Sequence, residues 1–377
     1  MTRPDPTSCG RRWFAESPAA RKNRRFVYRI GTIGFGNMGS AWARQLAAEP
    51  RWDLARICDV DPERRAEAAK LAPAVSDDAD DVLNDPSLDV VGLFTTAEYR
   101  PDQIRKALAG GKHIIAEKPI APNPDAEQKL LDEIEGADRL IAVNLFNRNA
   151  WYHHAVRAFV ERGEIGKLGI VRICHMTPGR VPDGSYEAEG PIFRDCGMHY
   201  VDVARWYAGS EYAKWQAQGV RMWSESQPWW VTAQGHFENG VIFDITVGFV
   251  YGQVAENWIN RGCLDVIGTR GACRYDHDFI DVRLHMHGEH ETVDRTGPYG
   301  GKKLDVMIDC FARSLDAGRD LGLPTARDSV IASRMAQRMH EDAVAGDPPC
   351  IGDDTERQYV LEHKPKWGLD ERYRLSK

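Results

Sequence analysis

The chain has 377 residues, of which 42% are hydrophobic and 28% are charged, as in a globular protein with room for two domains. Its formal net charge of −7 does not indicate a nucleic-acid partner, and no apolar run reaches the roughly 18–20 residues that span a bilayer. We therefore expect neither nucleic acid nor a membrane among its partners.

The charge is uneven along the chain, because residues 1–29 carry eight basic side chains and only two acidic ones. Arg11-Arg12 is typical of twin-arginine export signals, but the residues after it lack the apolar stretch that export requires. We expect residues 1–26 to be a flexible basic leader, or an arm on a neighbouring subunit. The eight cysteines contain no C-x-x-C pair, which favours free thiols and a cytoplasmic protein.

Strands and helices alternate over residues 27–148, which predicts an α/β Rossmann domain with a doubly wound parallel sheet. The predicted strands are short and apolar, and they cover 26–33, 53–58, 88–95, 113–116 and 140–145. The predicted helices between them cover 38–49, 62–71, 101–109 and 125–135.

The pattern changes after about residue 150, where the predicted strands become longer. These strands cover 170–176, 215–223, 229–237, 241–251 and 263–267. The predicted helices cover 150–162, 196–207, 304–315 and 328–343. Asn239-Gly240 between two apolar runs predicts a hairpin. We expect residues 149–377 to form an α+β domain with a large, mostly antiparallel open sheet, which binds the substrate and carries the oligomer contact.

The first predicted strand leads into a G-x-G-x-x-G motif that opens a helix, made of Gly34, Phe35, Gly36, Asn37, Met38 and Gly39. In this context the glycines allow a tight turn, a close approach to a pyrophosphate and close packing of helix on strand. Asp59 ends the second strand, where a carboxylate binds the ribose hydroxyls of NAD and repels the extra phosphate of NADP. We predict NAD, with NADP less favoured. The alternative is a plain glycine turn with Asp59 on the surface.

Two further motifs carry polar side chains. Glu117-Lys118-Pro119 follows the fourth strand, and the carboxyl ends of parallel strands line the ligand crevice of such sheets. Asp195, His199 and Asp202 share one face if the helix has begun by Asp195. Taken alone, each motif has a structural alternative, which is a solvated lysine for the first and an ordinary core histidine behind a helix cap for the second.

Together these motifs resemble those of the Gfo/Idh/MocA family of dehydrogenases, in the same order and spacing. The resemblance covers about residues 28–361 and includes Glu117-Lys118-Pro119-Ile120 and Asp195-x-Gly197-x-His199-x-x-Asp202. The turns Gly163-x-x-Gly166 and Gly268-Thr269-x-Gly271 also resemble recurring turns of the family. Many members carry an Asn and a His in the segment that reads Thr-Ala-Glu-Tyr-Arg at 96–100 here, so this chain departs from the family there.

The resemblance implies roles for particular residues. It implies a catalytic group made of Lys118, Asp195 and His199. It also implies that Thr95, Thr96 and Glu117 lie near the nicotinamide ribose of the cofactor. We expect Lys118 to bind the cofactor as well, because its place after the fourth strand points it at the nicotinamide half. We expect the substrate to contact the catalytic group and two further side chains, Arg148 and Tyr186, the second of which lies on a long loop of the kind that often selects ligands.

The resemblance also implies an NAD-dependent dehydrogenase that oxidises a secondary hydroxyl of a sugar, a sugar derivative or an inositol-like cyclitol. A general base works best when its pKa lies near the working pH. An imidazole, at about 6.5, meets this condition, and an ammonium group, at about 10.4, does not unless burial lowers its pKa. We expect His199 to be the base, Lys118 to hold the substrate hydroxyl and Asp195 to orient the substrate or His199. The reverse assignment, with Lys118 as base, stays open.

Two other functions stay open. One is a glycosidase that uses NAD for transient oxidation and elimination, and the other is a cofactor or sugar sensor without turnover, against which the intact Lys118 and His199 argue. The open sheet predicts a homodimer or homotetramer that forms through its uncovered face. We expect no metal site, because the motif His285-x-His287-x-x-His290 lies in a polar hairpin far in sequence from the other motifs.

Overall fold

The computed structural model describes residues 27–178, 189–223, 225–251 and 261–363. The expected leader, residues 1–26, and the expected substrate contact Tyr186 lie outside the described residues. By its internal contacts the chain divides into two compact units. The first unit contains the residues up to Leu145 together with Leu304–Val330, and the second contains Phe146–Lys303 together with the residues from Ile331 onward.

The first unit is built on six parallel strands in the order β3-β2-β1-β4-β5-β6. They are β1 (Tyr28–Ile33), β2 (Trp52–Cys58), β3 (Ala74–Ser76), β4 (Val90–Leu93), β5 (His113–Ala116) and β6 (Ile141–Val143). This is the strand order of the Rossmann fold, so the predicted doubly wound sheet is confirmed. The order reverses between β1 and β4, and ligands of such sheets bind outside the carboxyl ends of the strands at this point.

Helices cover both faces of this sheet. They are α1 (Asn37–Ala48), α2 (Pro62–Ala68), α3 (Asp80–Leu83), α4 (Arg100–Ala109) and α5 (Pro124–Ile134). Trp42 and Leu46 of α1 belong to one buried apolar cluster, and Ile104 of α4 and Leu130 of α5 belong to another. Strand β3 and helix α3 are additions to the predicted elements, and each is too short to produce a periodic apolar pattern in the sequence.

The second unit contains a nine-stranded sheet in the order β14-β13-β12-β11-β7-β10-β9-β8-β15. Its strands are β7 (Leu168–Pro178), β8 (Tyr212–Met222), β9 (Trp230–Phe237), β10 (Ile242–Tyr251), β11 (Arg261–Gly268), β12 (Ala272–His277), β13 (Asp281–His287), β14 (Thr292–Pro298) and β15 (Cys350–Ile351). Only the β7–β10 and β8–β15 pairs are parallel, so the predicted mostly antiparallel sheet is confirmed. The predicted hairpin at Asn239-Gly240 joins β9 to β10, and Gly240 has a φ of 85° there.

The remaining helices follow the chain order. A 3-10 helix over Phe146–Asn149 precedes α6 (Trp151–Glu161), α7 (Ile192–Asp195), α8 (Met198–Ala208), α9 (Leu304–Ala317), α10 (Ala326–Ala345) and α11 (Asp354–His363). Helices α6 and α8 pack on the nine-stranded sheet. Within the part of the chain that the structure describes, no helix is long and apolar enough to cross a membrane.

Helix α9 differs from the sequence-based division of the chain, which places it in the second domain. Its side chains Met307 and Phe311 are buried in the same apolar cluster as Trp42 of α1. Asp316 near its end accepts a hydrogen bond of 2.8 Å from the hydroxyl of Tyr28 on β1. The helix therefore completes the first unit, because it supplies the apolar cover that α1 and β1 need on that face.

Candidate functional site

The glycine motif forms the turn between β1 and α1. Gly34 has a φ of 94°, and a Cβ atom there would lie 2.7 Å from the backbone of Phe94. A Cβ atom on Gly39 would lie 2.0 Å from the carbonyl oxygen of Gly34. Both positions therefore need glycine, the first for its backbone conformation and close packing and the second for the contact between helix and turn.

The N-terminus of α1 carries no side-chain cap and no acidic residue in its first turn. By contrast, the side chains of Asp61 and Asn123 cap α2 and α5, because their oxygens accept hydrogen bonds from backbone N–H groups of these helices. An uncapped helix start behind a glycine turn offers N–H groups and a positive dipole end to a phosphate. These features fit the pyrophosphate of a dinucleotide.

Asp59 holds the glycine turn at the end of β2. Its side chain is buried, with an exposed fraction of 6%. Oδ2 accepts a hydrogen bond of 2.6 Å from the N–H of Phe35, and Oδ1 accepts one of 2.9 Å from the N–H of Asp61. Each carboxylate oxygen has a second lone pair, so these bonds are compatible with the predicted acceptance of ribose hydroxyls.

Arg100 is 3% exposed, and it links the segment after β4 to the segment after β5. Its guanidinium donates to the carbonyl oxygens of Thr95 and Pro119. Thr95 also donates through its hydroxyl to Gln103, at 2.8 Å, while Thr96 is exposed. Arg100 belongs to the segment that departs from the family pattern. Sequence reasoning missed its role, because one arginine at a helix start carries no signal of its partners.

Glu117 and Lys118 follow β5 directly. Glu117 is 4% exposed, and its Oε1 accepts hydrogen bonds of 2.8 Å from both Trp42 Nε1 and Asn144 Nδ2. Lys118 is half-buried, and the peptide bond between Lys118 and Pro119 is cis, which the sequence left open. Sequence reasoning identified Glu117 but missed both of its donors.

Asp195 and His199 lie in the second unit, on two different helices. Helix α7 ends at Asp195 and α8 begins at Met198, so the two residues do not share one continuous helix face as the spacing suggested. A Cβ atom on Gly197 would lie 2.2 Å from the carbonyl oxygen of Phe193, which explains the glycine at this tight break. Both Asp195 and His199 are buried, with exposed fractions of 5% and 4%.

The 3-10 helix before α6 anchors the start of α8. The amide of Asn147 donates to the carbonyl oxygen of His199 at 3.0 Å, and the Phe146 ring lies 4.3 Å from the His199 ring. Arg148 forms two hydrogen bonds to Asp202, from Nε to Oδ2 at 2.7 Å and from Nη2 to Oδ1 at 2.6 Å. Asp202, expected on the His199 face, therefore pairs with Arg148, and the substrate contact expected of Arg148 stays a prediction.

The predicted site residues fall into two sets, one in each unit. Lys118 lies in the first unit with the cofactor-side residues, and Asp195 and His199 lie in the second unit. No group of three His, Cys, Asp or Glu side chains that could hold a metal ion occurs among the residues that the structure describes. His285, from the histidine-rich hairpin, instead lies with its Nδ1 2.6 Å from Asp294.

Family models match both units. Residues 28–145 match the model of an oxidoreductase family with an NAD-binding Rossmann fold, and residues 153–274 match the model of the Gfo/Idh/MocA C-terminal domain. The chain belongs to the Gfo/Idh/MocA oxidoreductase family. This confirms the resemblance, and the Gfo/Idh/MocA fold accounts for both sheets. The cofactor of this Gfo/Idh/MocA protein is NAD, for which the glycine turn, the uncapped α1 and Asp59 provide a fitting site.

Several proteins are similar over most of the chain. Myo-inositol 2-dehydrogenase of Thermotoga maritima is 27% identical over 357 residues, which are 91% of this chain and 97% of that protein. An oxidoreductase from Agrobacterium radiobacter, solved with NAD+, L-tartaric acid and magnesium, has a TM-score of 0.74 at 21% identity and covers 85% of this chain and 97% of its own. The scyllo-inositol dehydrogenase of Lactobacillus casei with NAD(H) and scyllo-inositol has a TM-score of 0.71 at 21% identity, with 85% and 98% covered. At these identities the structural likeness establishes the fold alone.

Proposed function

We propose that this protein oxidises a secondary hydroxyl of a sugar, a sugar derivative or a cyclitol and uses NAD in preference to NADP. The observation that carries the proposal is the 27% identity to a myo-inositol 2-dehydrogenase over 97% of that enzyme. The carboxylate of Asp59 at the end of β2 supports NAD over NADP, because the extra phosphate of NADP would meet a buried negative charge there.

The proposed reaction divides the work among three side chains. NAD, when bound, supplies the carbon that accepts the hydride. His199 accepts the proton of the substrate hydroxyl as general base. Lys118, as an ammonium group, donates a hydrogen bond to the hydroxyl oxygen and stabilises the negative charge that develops on it. Asp195 orients the substrate or the imidazole of His199.

The test measures NADH fluorescence with NAD and a panel of inositols, aldoses, anhydrosugars and glycosides. We expect NADH to accumulate with one of the first three classes. His199→Ala and Lys118→Ala should each lower the turnover about 10²-fold or more, with little change in NAD affinity. Near-normal turnover in both variants would refute the residue roles. No NADH across the panel, together with release of aglycone from glycosides, would replace the dehydrogenase with a glycosidase.

The proposal includes a homodimer or homotetramer, formed through the face of the nine-stranded sheet that α6 and α8 do not cover. On β10 the side chain of Ile242 is 51% exposed while its neighbour Phe243 is fully buried, so successive side chains point to opposite faces of the sheet. A sheet face without helices on it favours a symmetric contact with a second copy. A monomer by light scattering at micromolar concentration would refute this part. We further place the enzyme in the cytoplasm, because the cysteines of the described residues are all free thiols.

A further inference from the structure

The carboxylate of Glu117 accepts hydrogen bonds from two neutral donors that belong to none of the sequence motifs. Trp42 is fully buried in α1, and Asn144 is 1% exposed just after β6. The indole N–H of Trp42 and the amide of Asn144 both donate to the same carboxylate oxygen, Oε1, at 2.8 Å. The chain positions of these donors lie 75 and 27 residues from Glu117, so the contact joins three separate elements at the carboxyl edge of the first sheet.

The geometry of Trp42 ties it to the glycine turn as well. Its ring stacks on the ring of Phe94, with a centroid separation of 5.2 Å and an interplanar angle of 3°. The backbone of Phe94 in turn lies against Gly34, where a Cβ atom would come within 2.7 Å. Trp42 therefore contacts both Glu117 and the residue that packs on the glycine turn. It fixes the position of Glu117 relative to the turn that binds the pyrophosphate.

Asparagine at position 144 carries a free-energy cost, because one of its polar atoms is buried without a hydrogen bond from the described residues. Its Oδ1 is buried and has no hydrogen-bond partner among the residues that the structure describes. The amide cannot be turned around to relieve this, because an ionised carboxylate only accepts, so Nδ2 must face Glu117. A buried acceptor without a partner costs about 1–3 kcal/mol, and an apolar side chain would avoid that cost. The hydrogen bond to Glu117 is the side-chain contact that accounts for asparagine at this position.

We propose that Trp42 and Asn144 are positioning residues, which hold the Glu117 carboxylate in place for the nicotinamide half of bound NAD. The inference rests on the proposed function, because it needs Glu117 to face the nicotinamide ribose. Both donors occupy Oε1, which directs the other oxygen, Oε2, to the donors of that ribose. The two donors carry no charge, so neither of them pairs the Glu117 carboxylate with a cation.

The chain offers a matched control for the loss of an indole N–H. Trp52 is 5% exposed and lies in the same apolar cluster as Trp42. Its Nε1 is buried, and it makes no hydrogen bond within the described residues. Trp42→Phe and Trp52→Phe therefore remove the same atoms from the same cluster, but only the first removes a donor to Glu117.

The experiment measures the affinities of NAD and of ADP by isothermal titration calorimetry for the unmodified protein and four variants: Trp42→Phe, Asn144→Leu, Trp52→Phe and Glu117→Gln. ADP shares the adenosine and phosphate half of NAD but lacks the nicotinamide riboside. Trp42→Phe and Asn144→Leu should each weaken NAD about tenfold, the size expected for loss of a hydrogen bond to a charged group, and change ADP affinity less than about twofold. Trp52→Phe should leave both affinities within about twofold of the unmodified protein.

Equal weakening of NAD and ADP by Trp42→Phe, or an unchanged NAD affinity in both Trp42→Phe and Asn144→Leu, would overturn the positioning role. Asn144→Leu keeps the test decisive if Trp42→Phe does not fold. An unmodified protein that binds neither NAD nor ADP would instead overturn the proposed function, which separates the two failures.

Discussion

The two units each bury a carboxylate near the predicted site, and they hold it in different ways. In the first unit, Glu117 accepts from the neutral donors Trp42 and Asn144. In the second unit, Asp202 is fully buried and accepts two hydrogen bonds from the guanidinium of Arg148, which is 9% exposed. In the first arrangement the donors to the carboxylate carry no charge, and in the second the carboxylate is paired with a cation.

Under the proposed function, Glu117 serves the cofactor, and we infer that Asp202 serves the fold. A buried carboxylate with only neutral donors gains when a ligand with complementary groups binds, whereas the charge of a carboxylate paired with a guanidinium is already balanced inside the protein. The pair of Arg148 and Asp202 instead fastens the 3-10 helix to α8, and so supports the backbone that carries His199. Three predictions test this distinction.

The largest expected effect is on the charged pair. Asp202→Asn should lower the free energy of unfolding by about 3–5 kcal/mol, because it removes the negative charge that accepts two hydrogen bonds from the buried guanidinium of Arg148. Urea unfolding, monitored by circular dichroism, measures the free energy of unfolding. The matched control is Asp244→Asn, which removes the 3.4 Å surface pair with Arg172 and should change stability by less than about 1 kcal/mol. Equal losses in the two variants would contradict the distinction.

An effect that is smaller for each residue concerns acid, because the second unit buries more histidines than the first. Burial lowers the pKa of His175 to about 3 and that of His277 to about 4, and it holds the pKa of His153 well below its ordinary value. In the first unit, burial lowers the pKa of His113 to about 4. The unfolded chain binds more protons than the folded one between pH 6.5 and these values, so stability falls as the pH falls through this window.

At pH 5, His175, His277 and His113 should each cost about 2 kcal/mol relative to pH 7, and the second unit, which has more of the buried histidines, should open first. Amide hydrogen exchange at pH 7 and pH 5, corrected for the intrinsic exchange rates, measures the loss of protection in each strand. Peptides from β7 and β12 report on the second unit, and peptides from β5 report on the first. Earlier loss of protection in β5 than in β7 and β12 would show that the buried imidazoles do not set the acid stability.

The smallest expected effect on stability is that of Glu117→Gln. The glutamine carbonyl oxygen can accept both hydrogen bonds, so the free energy of unfolding should change by less than about 1 kcal/mol. NAD affinity should fall about tenfold over the same substitution, because the charge is lost. Urea unfolding and calorimetric titration of NAD measure the two quantities. A loss of stability as large as that of Asp202→Asn would mean that Glu117 serves the fold after all.

Local patterns in the sequence were sufficient for most of the fold. The strand over 113–116 was predicted with its observed bounds, because four consecutive buried positions are set off by Gly110-Gly111. The strand over 140–145 is shorter in the structure, Ile141–Val143. Apolar runs report burial, and they do not report where the pairing with a neighbouring strand stops.

The contacts that hold the candidate site could not be predicted in the same way. Trp42 has the sequence pattern of a core residue of an amphipathic helix, and nothing local marks its bond to Glu117. Arg148 and Asp202 are separated by 54 positions, and their pairing follows from the tertiary fold alone. The break between α7 and α8 depends on Gly197, whose packing against Phe193 has no periodic signature.

The return of α9 to the first unit has a consequence for the synthesis of the chain. The apolar side of α1, with Trp42 and Leu46, is completed by residues that leave the ribosome only after the larger part of the second unit, Phe146–Lys303. At 5–20 residues per second, the interval between residue 145 and residue 304 is roughly 10–30 s. During that time the N-terminal region carries an uncovered apolar surface, so the order of translation and the order of folding are not the same in this protein.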